Sequence, residues 1–187
     1  MFSAILGFDW QKSKAHWLLL SKFITPRCPD DFTRTDDWKN VLGEVPIKAI
    51  KRFVDAGLLT KGDLHAHLSY KFTVTQLKDM LKQAGLSVSG NKDELIERLV
   101  QKDEPGMEKR VAGLNVLICT QKGMEFANQY LTSEEAKRGL AEQQVMEYIM
   151  RGQYKEASIA VAAFEAEQVF SRGMNMDWEH HNPSYDV

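Results

Sequence analysis

The stretch from Thr73 to Val100 narrows the possible folds of this chain more than any other, because it writes two helices and the turn between them into a short span. Thr73 and Gln76 have the spacing of a capping box, and Val74, Leu77 and Leu81 fall on one helical face until Gly85 offers a stop. A second helix starts near Asn91 and carries the stripe Leu95, Ile96, Leu99 and Val100, with Leu86 and Val88 filling the gap between the two. Such a pair has a very small core and needs tight, local connections.

The residues in that turn are specific. Val74-x-x-Leu77 opens the first helix, Gly85-Leu86 follows it, Ser89-Gly90-x-Lys92 forms the connection, and Glu94-Leu95-x-x-Arg98-Leu99 lies in the second helix. This pattern resembles the SAP domain, the helix-extended-helix module of scaffold-attachment, acinus and PIAS proteins. The resemblance implies binding to duplex DNA through the connecting loop and the start of the second helix. Amides at a helix start, approached closely at Gly90 and Asn91 with Lys92 beside them, suit a phosphate, and Lys78, Lys82 and Arg98 extend the footprint. With three to five phosphate contacts, binding is expected to be sequence-independent, salt-dependent and on the order of micromolar or weaker. Two positions depart from the family pattern. Asn91 stands where a second base is common, and Asp93 and Glu94 put acids in the first turn.

Charge is distributed to match. The whole chain has 24 Lys and Arg against 26 Asp and Glu, which excludes a wholly basic, histone-like binder. Residues 39–61 nevertheless carry five bases against two acids, and residues 71–102 six against four. Pro46 begins an amphipathic helix of Ile47, Ile50, Phe53 and Val54 ending at Gly57, whose outer Lys48, Lys51 and Arg52 are candidate additional DNA contacts. From Ser133 onward ten acids face five bases, so this end would be repelled by nucleic acid.

The flanks read as mainly helical. A short helix is expected near residues 11–23, followed by a loop rich in Pro and Asp. Leu114 to Thr120 is β-prone and Gly123 to Leu131 helical, an order that suits a winged-helix-like element. Thr132-Ser-Glu-Glu135 reads as a capping box opening a separate long helix to Arg151-Gly152, and Tyr154 to Phe170 packs back on it as an antiparallel hairpin. Gly152-x-Tyr154-x-x-Ala157 is like half of a tetratricopeptide hairpin, but one copy makes no array. The expected division is therefore 1–70, an N-terminal mainly helical region; 71–102, the SAP-like module; 103–131, a strand–helix connector; and 132–187, the hairpin and tail.

Signals of catalysis are thin. His65-Ala-His67 places both imidazoles on one face if it is a strand, and Glu179-His180-His181-Asn182 has a superficial likeness to small-nuclease histidines, yet neither has ligand spacing for a metal. There is no phosphate-binding loop, dinucleotide fingerprint, nucleophile elbow or HExxH. Cys28 and Cys119 match no redox spacing and are expected to be reduced. The first residues lack a basic signal-peptide region, and no apolar run spans a bilayer. The expectation is a non-enzymatic DNA-binding adaptor without metal or cofactor, not membrane-bound, cytoplasmic or nuclear, and of bacterial or phage origin. The hairpin is its surface for a protein partner or for self-association. The alternative is a protein-interaction or oligomerisation module in which the SAP-like helices are only structural; a nuclease using the histidine tail is the weakest reading.

Overall fold

In a computed structural model of the chain, residue 11 and residues 13–171 are described. The described residues are mainly α-helical. Helix α1 (Lys14–Ser21) continues into a 3-10 turn (Lys22–Ile24), a second 3-10 turn covers Pro29–Phe32, and α2 (Asp37–Leu42) and α3 (Pro46–Asp55) follow. Pro46 sits in the first turn of α3, where its missing N–H costs nothing. The outward Lys48 and Lys51 lie opposite buried Ala49, Ile50 and Phe53.

Strand β1 (Leu59–Lys61) pairs antiparallel with β2 (Leu117–Cys119), Leu59 opposite Cys119 and Lys61 opposite Leu117. On the other edge of β2, Arg27 and Leu117 exchange two backbone hydrogen bonds of 3.0 and 2.8 Å. Between the paired strands the chain makes a long excursion through α4 (Leu64–Lys71), α5 (Val74–Gln83) and α6 (Lys92–Val111). The excursion closes where the Gly62 amide donates to the Val116 carbonyl at 2.9 Å. A winged-helix-like order of helix, strand and helix is present, but where a wing hairpin would turn, the whole of α4–α6 is inserted.

Two apolar clusters follow from this topology. The first joins Leu19, Leu20 and Phe23 to Phe32, Leu42, Ile50, Phe53, Leu58, Leu59, Leu117, Cys119 and Ala127. The second joins Leu68 of α4 to Leu77, Leu81, Leu95, Ile96 and Leu99, and adds Met107 and Val111. Residues 103–131, read from the sequence as one connector, thus contribute to both clusters. Tyr70 bridges the two bodies, its hydroxyl donating to Asp31 Oδ1 at 2.8 Å. Burial and this carboxylate push the Tyr70 phenol up to about 12.

Helix α7 (Gln121–Met150) and α8 (Tyr154–Ser171) form the antiparallel hairpin. The helix expected to start at Thr132 does not start there: α7 runs unbroken through Thr132–Glu135 from an N-cap at Thr120, whose Oγ1 accepts from the Gly123 amide at 3.1 Å. Gly123 has no substitute at that contact, since a Cβ would lie 1.9 Å from the Leu58 carbonyl oxygen. The early helix is shorter than the expected 11–23, its last turn tightening to 3-10 geometry. His65 and His67 lie on α4, not on a strand, because Asp63 caps that helix by accepting from the Ala66 amide at 2.8 Å. Trp178, His180, His181 and Tyr185 lie outside the described residues. No described helix is long and apolar enough to cross a membrane.

Candidate nucleic-acid interface

The two helices of the central module form as their caps dictate. Thr73 and Gln76 make a reciprocal capping box at α5, Gln76 Oε1 accepting from the Thr73 amide at 2.8 Å. Asn91 and Glu94 make another at α6: Asn91 Oδ1 accepts from the Glu94 amide at 3.0 Å, and Glu94 Oε2 accepts from the Asn91 amide at 3.1 Å. Lys92 and Asp93, the first two helical residues, have no carbonyl one turn earlier to receive their amides. Gly90 delivers the chain to this point with φ +112°, and a Cβ there would fall 2.0 Å from Glu94 Oε2. The loop is exposed from Ser87 to Asn91 except for half-buried Val88, which packs on the core.

Two of the charges assigned to DNA hold the protein together. Arg98 Nη1 donates to the carbonyls of Ser87 at 2.6 Å and Ser89 at 3.1 Å, fixing the loop from beneath. Lys92 Nζ donates to the Ser69 carbonyl near the end of α4. Lys82 is exposed and only loosely paired, 3.6 Å from Asp79, and half-buried Lys78 has no ion pair or hydrogen bond among the described residues. The acid in the first turn is also engaged, Asp93 lying 3.6 Å from His65 Nε2. Asp93 therefore faces α4 as well as the helix start, a contact invisible in the sequence.

Sequence reasoning did not assign the Ser87 and Ser89 hydroxyls or His65 to this site. The Ser87 and Ser89 hydroxyls, 2.9 Å apart and exposed, sit on the loop beside the helix start, and their repeated Ser-x-Ser spacing was the available signal. His65 reaches the same end of α6 from α4, which no local pattern announces. His67 is buried, its ring nitrogens against the carbonyls of Asp63 at 2.6 Å and Leu114 at 3.2 Å, which leaves it a structural role.

The other basic helix divides. Lys48 and Lys51 are exposed with no ion pair among the described residues, whereas Arg52 is committed to Glu44, donating through Nη1 to Oε1 and through Nη2 to Oε2 at 2.7 Å. Among the described residues no group of three His, Cys, Asp or Glu side chains is placed to hold a metal. Cys119 is buried, which pushes its thiol up to about 11, and both cysteines are free thiols.

A mainly helical body with a capped two-helix module inserted between paired strands is thus the class that fold and site define. Residues 71–104 match the family model of the SAP domain. The chain carries that domain over α5 and the first part of α6, and the domain points to nucleic-acid binding. No curated protein and no solved structure matches the chain.

Proposed function

We propose that this protein binds DNA through the SAP module without acting on it chemically, as an adaptor that presents its acidic hairpin to a protein. The observation that carries the reading is the start of α6, where two amides without helical acceptors project beside a loop fixed by Gly90 and Arg98 within the segment that matches the SAP domain. A phosphate takes such amides at a helix N-terminus, and the exposed Ser87 and Ser89 hydroxyls add donors. Lys78 and Lys82 supply long-range attraction, while Lys92 and Arg98 act chiefly by shaping the site.

The test is fluorescence anisotropy of labelled duplex and single-stranded DNA against the full chain across a salt series. Lys78→Ala is expected to weaken binding about threefold to tenfold at low salt and to lower the log–log salt slope by about 1, as removal of one phosphate contact does. Arg98→Ala is expected to weaken binding by loosening the loop, with a smaller change in slope. No affinity for either DNA at low salt would overturn the reading and favour the alternative, in which the SAP helices only support an interaction module.

A further inference from the structure

His65 stands outside the segment that matches the SAP domain, yet it shares the corner at which α6 begins. Helix α4 packs against α6, and this brings His65 Nε2 to 3.6 Å from Asp93 Oδ1, beyond hydrogen-bond length and within the range of an ion pair. The His65 side chain is 41% exposed and that of Asp93 76%, so a ligand in solution reaches both. The other described histidines, His16 and His67, are buried with both ring nitrogens at hydrogen-bond distance from a partner.

The charges at this corner do not cancel. Lys61 and Asp63 on the approach to α4 offset each other, and Lys92 offsets one of the two acids Asp93 and Glu94, which leaves one negative charge over. Lys92 is held by the Ser69 carbonyl, Glu94 by the Asn91 amide and Asp63 by the Ala66 amide. Asp93 differs from them: its carboxylate belongs to a residue whose own amide has no helical acceptor, and there it repels a phosphate. Histidine is the side chain whose charge changes between about pH 5 and 8, whereas carboxylates and lysines hold theirs across that range. Building on the DNA reading above, we infer that His65 belongs to the DNA site as its proton-linked member. Protonated, it neutralises Asp93 and admits a phosphate to the amides of Lys92 and Asp93; neutral, it leaves Asp93 to oppose that phosphate.

The sign follows from linkage. A phosphate at the start of α6 sets a second anion beside Asp93, and two anions favour the charged imidazole over the neutral one. Binding therefore takes up a proton, and by reciprocity a lower pH tightens binding. The size follows from Coulomb's law: one charge gained about 6 Å from a phosphate changes affinity about threefold in water, and up to about tenfold where the protein lowers the effective dielectric. Salt screens the effect, so it is largest at low ionic strength.

Fluorescence anisotropy of labelled duplex DNA with the full chain at low salt, in steps from about pH 8 to about pH 5.5, tests this. The parent is expected to bind about threefold to tenfold more tightly at the acid end, and His65→Gln, which carries no charge, to bind with an affinity flat across the range. Asp93→Asn is expected to bind about threefold more tightly than the parent at the alkaline end, because the opposing carboxylate is gone. Both side chains are partly exposed, and circular dichroism checks that each variant keeps its helix content. Three results would overturn the inference: a parent affinity that does not change with pH, an acid gain that His65→Gln keeps in full, which would place the proton on another histidine, or an Asp93→Asn variant no tighter than the parent at the alkaline end. In each of these the DNA still binds and the DNA reading stands, whereas no binding at any pH would overturn both.

Discussion

Arg98 donates to two loop carbonyls and Lys92 to the carbonyl of Ser69, so both cations are engaged inside the module before any ligand arrives. On the proposed reading their contribution to recognition is positional: they hold the amides of Lys92 and Asp93, and the Ser87 and Ser89 hydroxyls, in one arrangement. Gly90 is the residue on which that arrangement turns. Its φ of +112° is unfavourable for any side chain, and a Cβ would displace the Glu94 carboxylate from the Asn91 amide. Gly90→Ala is therefore expected to lower the unfolding free energy by about 1–3 kcal/mol, read from urea titration, and to weaken DNA binding as the capping box opens. Unchanged stability would mean that Glu94 can move without cost and that the loop is less constrained than its geometry implies.

The elements show what local pattern reveals and where it fails. The starts of α3, α5 and α6 were legible at Pro46, Thr73 and Asn91, because a cap is a contact between near neighbours in sequence. The Thr132–Glu135 signal misled for the same reason: capping residues are also tolerated inside a helix, and α7 continues because Thr120 had already started it. Leu64 to Leu68 alternates as a strand would, and only Asp63 and the packing of Leu68 against α5 and α6 decide for helix. The extent of α6 was hidden by Asp103 and Pro105. Asp103 leaves helical geometry at φ −156° and recaps the chain by accepting from the Gly106 amide at 3.0 Å, so a second segment adds Met107 and Val111 to the core.

Contacts between elements far apart in sequence were not legible, and the tie between α1 and α3 is one. His16, fully buried, lies with Nδ1 2.9 Å from Ser13 Oγ and Nε2 2.8 Å from Glu44 Oε1, while Arg52 grips the same carboxylate. Burial raises the Glu44 pKa, but the hydrogen bonds and charges of Arg52 and His16 outweigh it and hold the group below its ordinary 4.5. A carboxylate lowered on folding stabilises the native state above its unfolded pKa and loses that contribution as pH falls through the folded value. Stability measured by urea midpoint is thus expected to fall as pH drops below about 4.5, and Glu44→Gln to be less stable at neutral pH with a shallower acid loss. An acid profile identical to the parent's would remove Glu44 from the account.

At the scale of the molecule, the SAP module is an insertion rather than a link in a row. Its chain leaves at Gly62 and returns at Val116, and those ends meet at a 2.9 Å hydrogen bond. An insertion whose ends touch imposes little on its host, since a short turn closes the gap as well. Linear reading divided the chain into successive segments because pairing of β1 with β2 across the module leaves no local trace in either strand. The module also has its own apolar cluster, Leu68 to Val111, and part-buried polar contacts such as Tyr70 to Asp31 join it to the first body rather than a shared apolar cluster. Two complementary proteins follow from this. Residues 62–116 alone, roughly 55 residues, are expected to fold with marginal stability and to keep the salt-dependent DNA affinity of the module. Replacing residues 62–116 by Asn-Gly joins β1 to β2 as a two-residue hairpin, which is expected to preserve the first core and the α7–α8 hairpin while abolishing DNA binding. Circular dichroism, sedimentation and anisotropy on the pair check each expectation. If the shortened protein retained full affinity, the exposed Lys48 and Lys51 of α3 would become the principal contact, and the insertion a spacer.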